Sequence, residues 1–308
     1  MNKENVFVTM NDGEKIALHT WIPSGEVKTI IQISHGMQEY ALRYDRFAEF
    51  VGKSGIAVYA HDHRGHGDTA KNDEELGILA KKDGFNRVVE DLHAMILKCK
   101  KDFPNARMIL LGHSFGSFVA QAFIERYGEE LDGCILSGTA GPNNAINRGG
   151  KVIASIVCAL KGYAYKSSFL ANASFGKYND KIDIKKTEYD WLSRDEDEVK
   201  KYIDSKYCGF PASASFFRDI TAGLLAVHKA KAIANIPKKL PIYFIAGEAD
   251  PVGDYTNTVK KLIEVYKQNG IENVQHSFYP GARHELLNET NRIEVMNDIL
   301  HWIESFTS

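Results

Sequence analysis

No run of this sequence is apolar for long enough to cross a bilayer. The longest, Val152 to Leu160, holds one serine and falls well short of the ~20 residues a spanning helix needs. Cysteine is scarce as well. Its four copies, Cys99, Cys134, Cys158 and Cys208, are widely separated and form no Cys-x-x-Cys pair, so they read as buried thiols and exclude a disulfide frame or a thiolate metal site. Charge of one sign is not in excess either. With 38 basic against 40 acidic side chains, the overall balance leaves no electrostatic footprint for nucleic acid or for an anionic membrane. Met1-Asn2-Lys3-Glu4-Asn5 leads straight into strand-like residues, without the basic start and apolar stretch of a secretory signal, so a cytoplasmic protein is expected. Internal repeats and low-complexity segments are also missing.

What is present is enough chain to bury a sizeable core: 308 residues, 44% hydrophobic and 25% charged. Val6 to Met10 and Lys15 to Ile22 predict a hairpin closed by Asn11-Asp12-Gly13. Strand-like runs then alternate with helical patterns. The strands are Thr29 to Ser34, Ile56 to Ala60, Met108 to Leu111 and Cys134 to Leu136, with helices over 42–51, 86–99 and 118–127. The alternation stops after Gly138 and resumes at Leu240 to Gly247, followed by a helix over 255–268, a strand over 274–279 and a last helix over 286–306. Nearly continuous apolar strands predict a mostly parallel sheet covered on both faces, the α/β class. The expected core is 1–140 with 236–308, and 141–235 is expected to be a helical insertion over it.

The chain is organised around Leu111-Gly112-His113-Ser114-Phe115-Gly116-Ser117, a Gly-x-Ser-x-Gly between a predicted strand and a predicted helix. A sharp turn there strains the serine backbone, and small flanking residues leave room for it. Ser114 is thus the candidate nucleophile, and the amide of Phe115 can face a developing oxyanion. A serine hydroxyl needs a histidine base, which in turn needs a carboxylate to fix its tautomer. Asp250 follows one late strand and His284 the last one, giving the chain order Ser114, Asp250, His284. Asp254 is a rival acid, and Asp250 is favoured because it lies nearer the strand end. A second oxyanion amide is expected from Met37, in the loop after Ser34, with His35 holding that loop by hydrogen bonds.

Five motifs in order carry a resemblance: His35-Gly36-Met37-Gln38-Glu39 with Arg43-Tyr44, Asp62-His63-Arg64-Gly65-His66-Gly67, Gly112 to Gly116, Gly247-Glu248-Ala249-Asp250, and Gly281-Ala282-Arg283-His284-Glu285. Together they resemble the monoacylglycerol lipase and lysophospholipase-like group of α/β-hydrolases, also called the serine aminopeptidase S33 type. The resemblance implies an α/β-hydrolase fold, a triad of Ser114, Asp250 and His284, oxyanion amides from Met37 and Phe115, no cofactor, and a mobile cap formed by the insertion. It implies an ester hydrolase acting through an acyl-enzyme on a small-molecule acyl ester, with transient contact between cap and membrane surface. One departure stands out. Members often carry Met-Gly-Gly after the serine, where this chain has Phe115-Gly116-Ser117.

Other readings compete. Val152 to Leu160 with Phe169, Leu170, Phe175, Phe216, Phe217, Leu224 and Leu225 could line an acyl-chain channel or simply pack the cap on the core. His61-Asp62-His63-Arg64-Gly65-His66 approaches a metallo-hydrolase pattern, but Gly65 stands where that pattern needs aspartate, so no metal is expected. An aminopeptidase would need acids in the cap to hold a free amine, and Glu188, Asp190, Asp195, Glu196, Asp197 and Glu198 are its candidates. A non-catalytic binding protein on the same fold is the remaining alternative.

Overall fold

The computed structural model describes residues 1–306. Eight strands form one sheet in the order β1-β2-β4-β3-β5-β6-β7-β8. They are β1 (Asn2–Thr9), β2 (Lys15–Ile22), β3 (Thr29–Ser34), β4 (Ile56–His61), β5 (Arg107–His113), β6 (Gly133–Ser137), β7 (Ile242–Gly247) and β8 (Val274–Tyr279). β2 runs antiparallel to β1 and β4, and every other pair is parallel. The parallel strands β3, β4, β6 and β7 are buried along their whole length, as their unbroken apolar runs require.

Helices α1 (Asp45–Gly52) and α10 (Arg292–Glu304) cover one face through Phe47, Val51, Met296, Ile299 and Trp302. Helices α2 (Gly84–Asp102), α3 (Phe115–Tyr127) and α9 (Asn257–Gln268) cover the other through Leu92, Ile96, Phe123, Val259 and Leu262. The last helix starts later than its apolar pattern suggests. Glu285 to Glu289 forms a tight turn instead, because the Glu289 carboxylate accepts from the amides of Arg283, Arg194 and Thr290 and holds that stretch out of helix.

Between β6 and β7 the chain forms α4 (Asn144–Lys161), α5 (Ser168–Phe175), α6 (Glu196–Asp204), α7 (Ala214–Val227) and α8 (Ala230–Ile233). α7 packs on α2 and α3 and carries α4 on its other side. Ser213 caps α7 by accepting from Phe216 N, and Asp219 fastens it to the core by accepting from Gly84 N at 2.8 Å.

Candidate active site

β5 ends at His113 and α3 begins at Phe115, so Ser114 alone turns the chain. It does so at φ 51° and ψ −119°, a conformation that costs a side-chain-bearing residue ~1–3 kcal/mol. The surroundings hold it there. Ser114 N donates to Ser137 O on β6 at 2.9 Å, and Ser114 O accepts from Ser117 N at 2.9 Å. The flanking glycines are required by space: a Cβ on Gly112 would stand 2.6 Å from Gly116 O, and one on Gly116 would overlap the Ser34 carbonyl. Ser117, where the family pattern often has glycine, also takes part. Its Oγ lies 2.5 Å from Ser114 O and 2.8 Å from Thr139 Oγ1. One hydroxyl has one proton, so it donates to the carbonyl and accepts from Thr139.

Asp250 and His284 come together from the loops after β7 and β8. The Asp250 carboxylate accepts from His284 Nδ1 at 2.9 Å through one oxygen and from Val252 N at 2.9 Å through the other. Both side chains are buried. Asp254, the rival acid, is exposed and its carboxylate contacts Asn257. Burial works against a charge on His284, but the Asp250 carboxylate outweighs it, so the imidazole pKa is raised above its ordinary value. The opposite holds for His113, 4.8 Å ring to ring from His284: burial, reinforced by His284, pushes it down to about 3.

Ser114, His284, Met37 and Phe115 line one cavity of about 930 Å³. Ser114 and His284 share no hydrogen bond among the described residues. The amides of Met37 and Phe115 donate to no other acceptor among them, so both remain free for a ligand oxygen. The Met37 loop is rigidly held. His35 Nε2 accepts from His63 N at 3.0 Å, Glu39 accepts from Gly36 N at 2.5 Å, and Gln38 sits at φ 60° while donating to Phe210 O at 2.5 Å.

A buried charge network, which the sequence motifs contained without revealing its geometry, ties this loop to His284. Arg43 donates to both oxygens of Glu285, at 2.5 and 2.6 Å, and to Glu39 at 2.9 Å, while Tyr44 donates to Glu39 at 2.9 Å. Trp191 was equally invisible in the sequence. Its ring lies 5.1 Å from that of His284, and its carbonyl accepts from His284 N at 3.3 Å. A tryptophan in an irregular stretch has no spacing signal to mark it.

Most of the cavity wall is apolar. Ile153, Phe169, Leu170, Phe175, Phe217 and Leu224 line it, whereas Phe216 is buried behind it against Phe115 and Leu225 takes no part. Val152, Ile156 and Leu160 do neither of the things expected of them: they face outward, exposed. The six acids suggested for amine binding also lie away from the cavity wall. Asp190 accepts from the amides of Lys186 and Thr187, Asp195 caps α6 and pairs with Arg292, and Glu198 pairs with Arg46 and Lys201.

Each histidine of the motif is bonded through one ring nitrogen, His63 Nε2 lying 3.0 Å from His35 O. His61 Nδ1 lies 3.1 Å from Gln32 Nε2, and His66 Nδ1 lies 2.9 Å from Arg64 O. Donor atoms of His19, Asp62 and Asp68 do fall within 4.8 Å of one another. However, the Asp62 oxygens already accept from Ala41 N, Asp68 N and His19, which makes them poor ligands for a cation.

The chain and its fold have known counterparts. The sequence model of the family described as serine aminopeptidase, S33 (Hydrolase_4) matches residues 25–291. The chain is similar to the monoacylglycerol lipase of Mycolicibacterium smegmatis, at 27% identity over 95% of this chain and 94% of that one. It is similar to the monoglyceride lipase of Rattus norvegicus, at 28% identity over 96% and 88% respectively. Among solved structures, a thermostable carboxyl esterase from Bacillus coagulans in complex with glycerol superposes with a TM-score of 0.92, at 26% identity over 100% of both chains.

Proposed function

Because this chain belongs to the serine aminopeptidase S33 family, with its α/β-hydrolase fold, we propose that it hydrolyses carboxylic esters of lipid-like substrates through an acyl-enzyme on Ser114. His284 Nε2 takes the Ser114 proton as Oγ attacks the ester carbonyl. Asp250 keeps Nδ1 protonated and stabilises the imidazolium, and the amides of Met37 and Phe115 receive the oxyanion. The alcohol leaves with the proton from His284. Water then repeats the sequence on the acyl-enzyme and releases the acid.

The observation that carries this reading is the buried Asp250–His284 pair opening onto the same cavity as a serine in strained turn geometry. Residues 141–235 act as a cap over that cavity, supported by α4 and α5 side chains in its wall. An apolar wall suits a medium or long acyl chain. A substrate that partitions into lipid arrives from an interface, so the reading includes contact between cap and membrane surface. The peptidase alternative is disfavoured by the six cap acids, all away from the cavity wall.

The test is a turnover panel of glycerol monoesters, lysophospholipids, short nitrophenyl esters and a prolyl anilide on wild type and Ser114→Ala. Monoester turnover should exceed anilide turnover, and Ser114→Ala should lower it by ~10⁶, the scale for loss of a triad nucleophile. A fluorophosphonate should label Ser114. A variant that keeps most of its activity would remove Ser114 from the mechanism, and failure to label would favour a binding protein.

A further inference from the structure

Ser114 O and Phe115 N belong to one peptide group. A trans peptide is planar, with its carbonyl and its N–H pointing in opposite directions, so whatever fixes the carbonyl also aims the amide. The Phe115 amide is the one proposed above to receive the oxyanion. The carbonyl on its other side is held by two donors of a single residue, Ser117 N at 2.9 Å and Ser117 Oγ at 2.5 Å. Any residue at 117 would bring the N–H. The hydroxyl is this chain's own, standing where the family pattern often has glycine.

The hydroxyl proton has two acceptors in reach, Ser114 O and Thr139 Oγ1 at 2.8 Å, and which of them it serves is decided further along. Gln121 lies one turn on in α3, with Nε2 2.9 Å from Thr139 Oγ1 and 3.3 Å from Ala140 O. A carbonyl only accepts, so the Ala140 contact requires nitrogen at that end of the amide and leaves Oε1 facing His228 Nε2 at 3.2 Å. Burial pushes the His228 pKa down to about 4, so near neutral pH the imidazole is uncharged and carries its proton on Nε2. Thr139 accepts from Gln121 and gives its own proton to Ser117, which then donates to Ser114 O. Every proton from His228 to Ser114 has one place to go. The bonds run in one direction and polarise one another toward the Phe115 amide. Ser117, Gln121 and Thr139 are fully buried, and none of the four side chains lines the cavity. The chain of bonds also joins the start of the segment between β6 and β7, at Thr139 and Ala140, to His228 late in it.

We propose that Ser117 is a positioning residue of the oxyanion site: its hydroxyl, ordered by Thr139, Gln121 and His228, holds the Ser114–Phe115 peptide so that the Phe115 N–H meets the developing charge. Resting on the ester-hydrolase reading, this gives the reaction a side chain that touches neither substrate nor reacting atoms. Its effect belongs to the transition state. An ester carbonyl carries little charge before attack, so a small turn of the peptide leaves ground-state binding alone and weakens the bond that strengthens as the oxyanion forms. Because Ser117 N continues to hold Ser114 O, loss of the hydroxyl loosens the amide without removing it. One neutral hydrogen bond is at stake, about fivefold to tenfold in rate, well below the ~10²–10³ that follows outright loss of an oxyanion donor.

The experiment compares wild type, Ser117→Ala, Gln121→Glu and the double variant, using a soluble nitrophenyl ester and an alkyl trifluoromethyl ketone whose adduct with Ser114 Oγ puts an oxyanion in the same place. Ser117→Ala should lower kcat about fivefold to tenfold with KM unchanged, and raise the ketone inhibition constant by the same factor. Binding of an ether analogue of the substrate, which forms no adduct, should stay at the wild-type value. Gln121→Glu keeps the side-chain volume and removes the donor. Thr139 then turns its proton to residue 121, Ser117 turns to Thr139, and kcat should fall to a similar degree. With the hydroxyl already gone, the change at 121 has no route to the amide, so the double variant should match Ser117→Ala and not the product of two losses. Urea denaturation reports folding, and if Ser117→Ala is unfolded, Gln121→Glu alone must show the kcat and ketone effects. Wild-type kcat in the folded variants, a change confined to KM, losses that multiply, or a ketone constant that does not move with kcat would overturn the proposal. Ester turnover that survives Ser114→Ala would sink the hydrolase reading and this role together, whereas turnover that needs Ser114 and ignores Ser117 sinks this role alone.

Discussion

Ser114, His284 and Asp250 show how much chemistry a few atoms define. In the proposed mechanism activity requires neutral His284, whose pKa is raised because the Asp250 carboxylate outweighs the cost of burial. The rate kcat/KM for a soluble ester should therefore fall on acidification through a midpoint above 6.5. Asp250→Asn should move that midpoint to lower pH and reduce kcat by ~10⁴, the effect of the same change in a chymotrypsin-like triad. A pH–rate profile with an unmoved midpoint would separate Asp250 from the base. These residues were legible because each stands where a strand ends, a place that periodicity and Gly-rich punctuation mark. Arg43 was legible as a letter and not as a partner. Its contact with Glu285 spans 242 positions, and no local pattern announces a pairing made by the crossing of two loops.

At the scale of elements, the parallel strands were read to within two residues, since burial leaves them apolar runs, whereas β1 starts at Asn2, four residues before the expected Val6, because it is an exposed edge strand without such a run. Helix starts were less clear. The final helix begins at Arg292 because Glu289 captures three amides ahead of it, a tertiary contact that overrides an apolar pattern. α4 carries a different irregularity, two glycines within a single helix. A Cβ on Gly150 would come within 3.1 Å of Thr221 on α7, but one on Gly149 would meet nothing within 4 Å. Only Gly150 thus has a packing reason. Gly149→Ala should raise stability by ~0.5–1 kcal/mol, measured by urea denaturation, because it restores helix propensity without a clash. A neutral or negative change would mean that the native state draws on the pliancy of α4.

For the whole molecule, the buried histidines set the acid limit. Burial is the main reason that His61 and His113 are pushed down to about 3 and His66 and His228 to about 4, and it takes His35 and His63 well below the ordinary value. In each, the folded state binds fewer protons than the unfolded chain. Their stabilisation is therefore complete above pH 6.5 and is lost as pH falls toward the folded values. His284 has the opposite sign: its contribution is complete below 6.5 and is lost as pH rises through its raised pKa. Seven histidines, exposed His276 included, oppose His284 and the buried carboxyls of Glu125, Glu39 and Asp91, which burial raises, so the melting temperature should drop below pH 6.5, each histidine costing at most ~1.4 kcal/mol per pH unit. A flat melting temperature down to pH 4 would contradict this. Finally, the carbonyls of Trp191 and Leu192 accept from the amides of His284 and Glu285, and Arg283 donates to the carbonyls of Asp190 and Ser193. Residues 190–193 are thus riveted to the loop of the proposed base. Any outward swing that took this strip along would drag His284 off Asp250, so under the proposed cap reading the doorway for substrate would fall to α4 and α5.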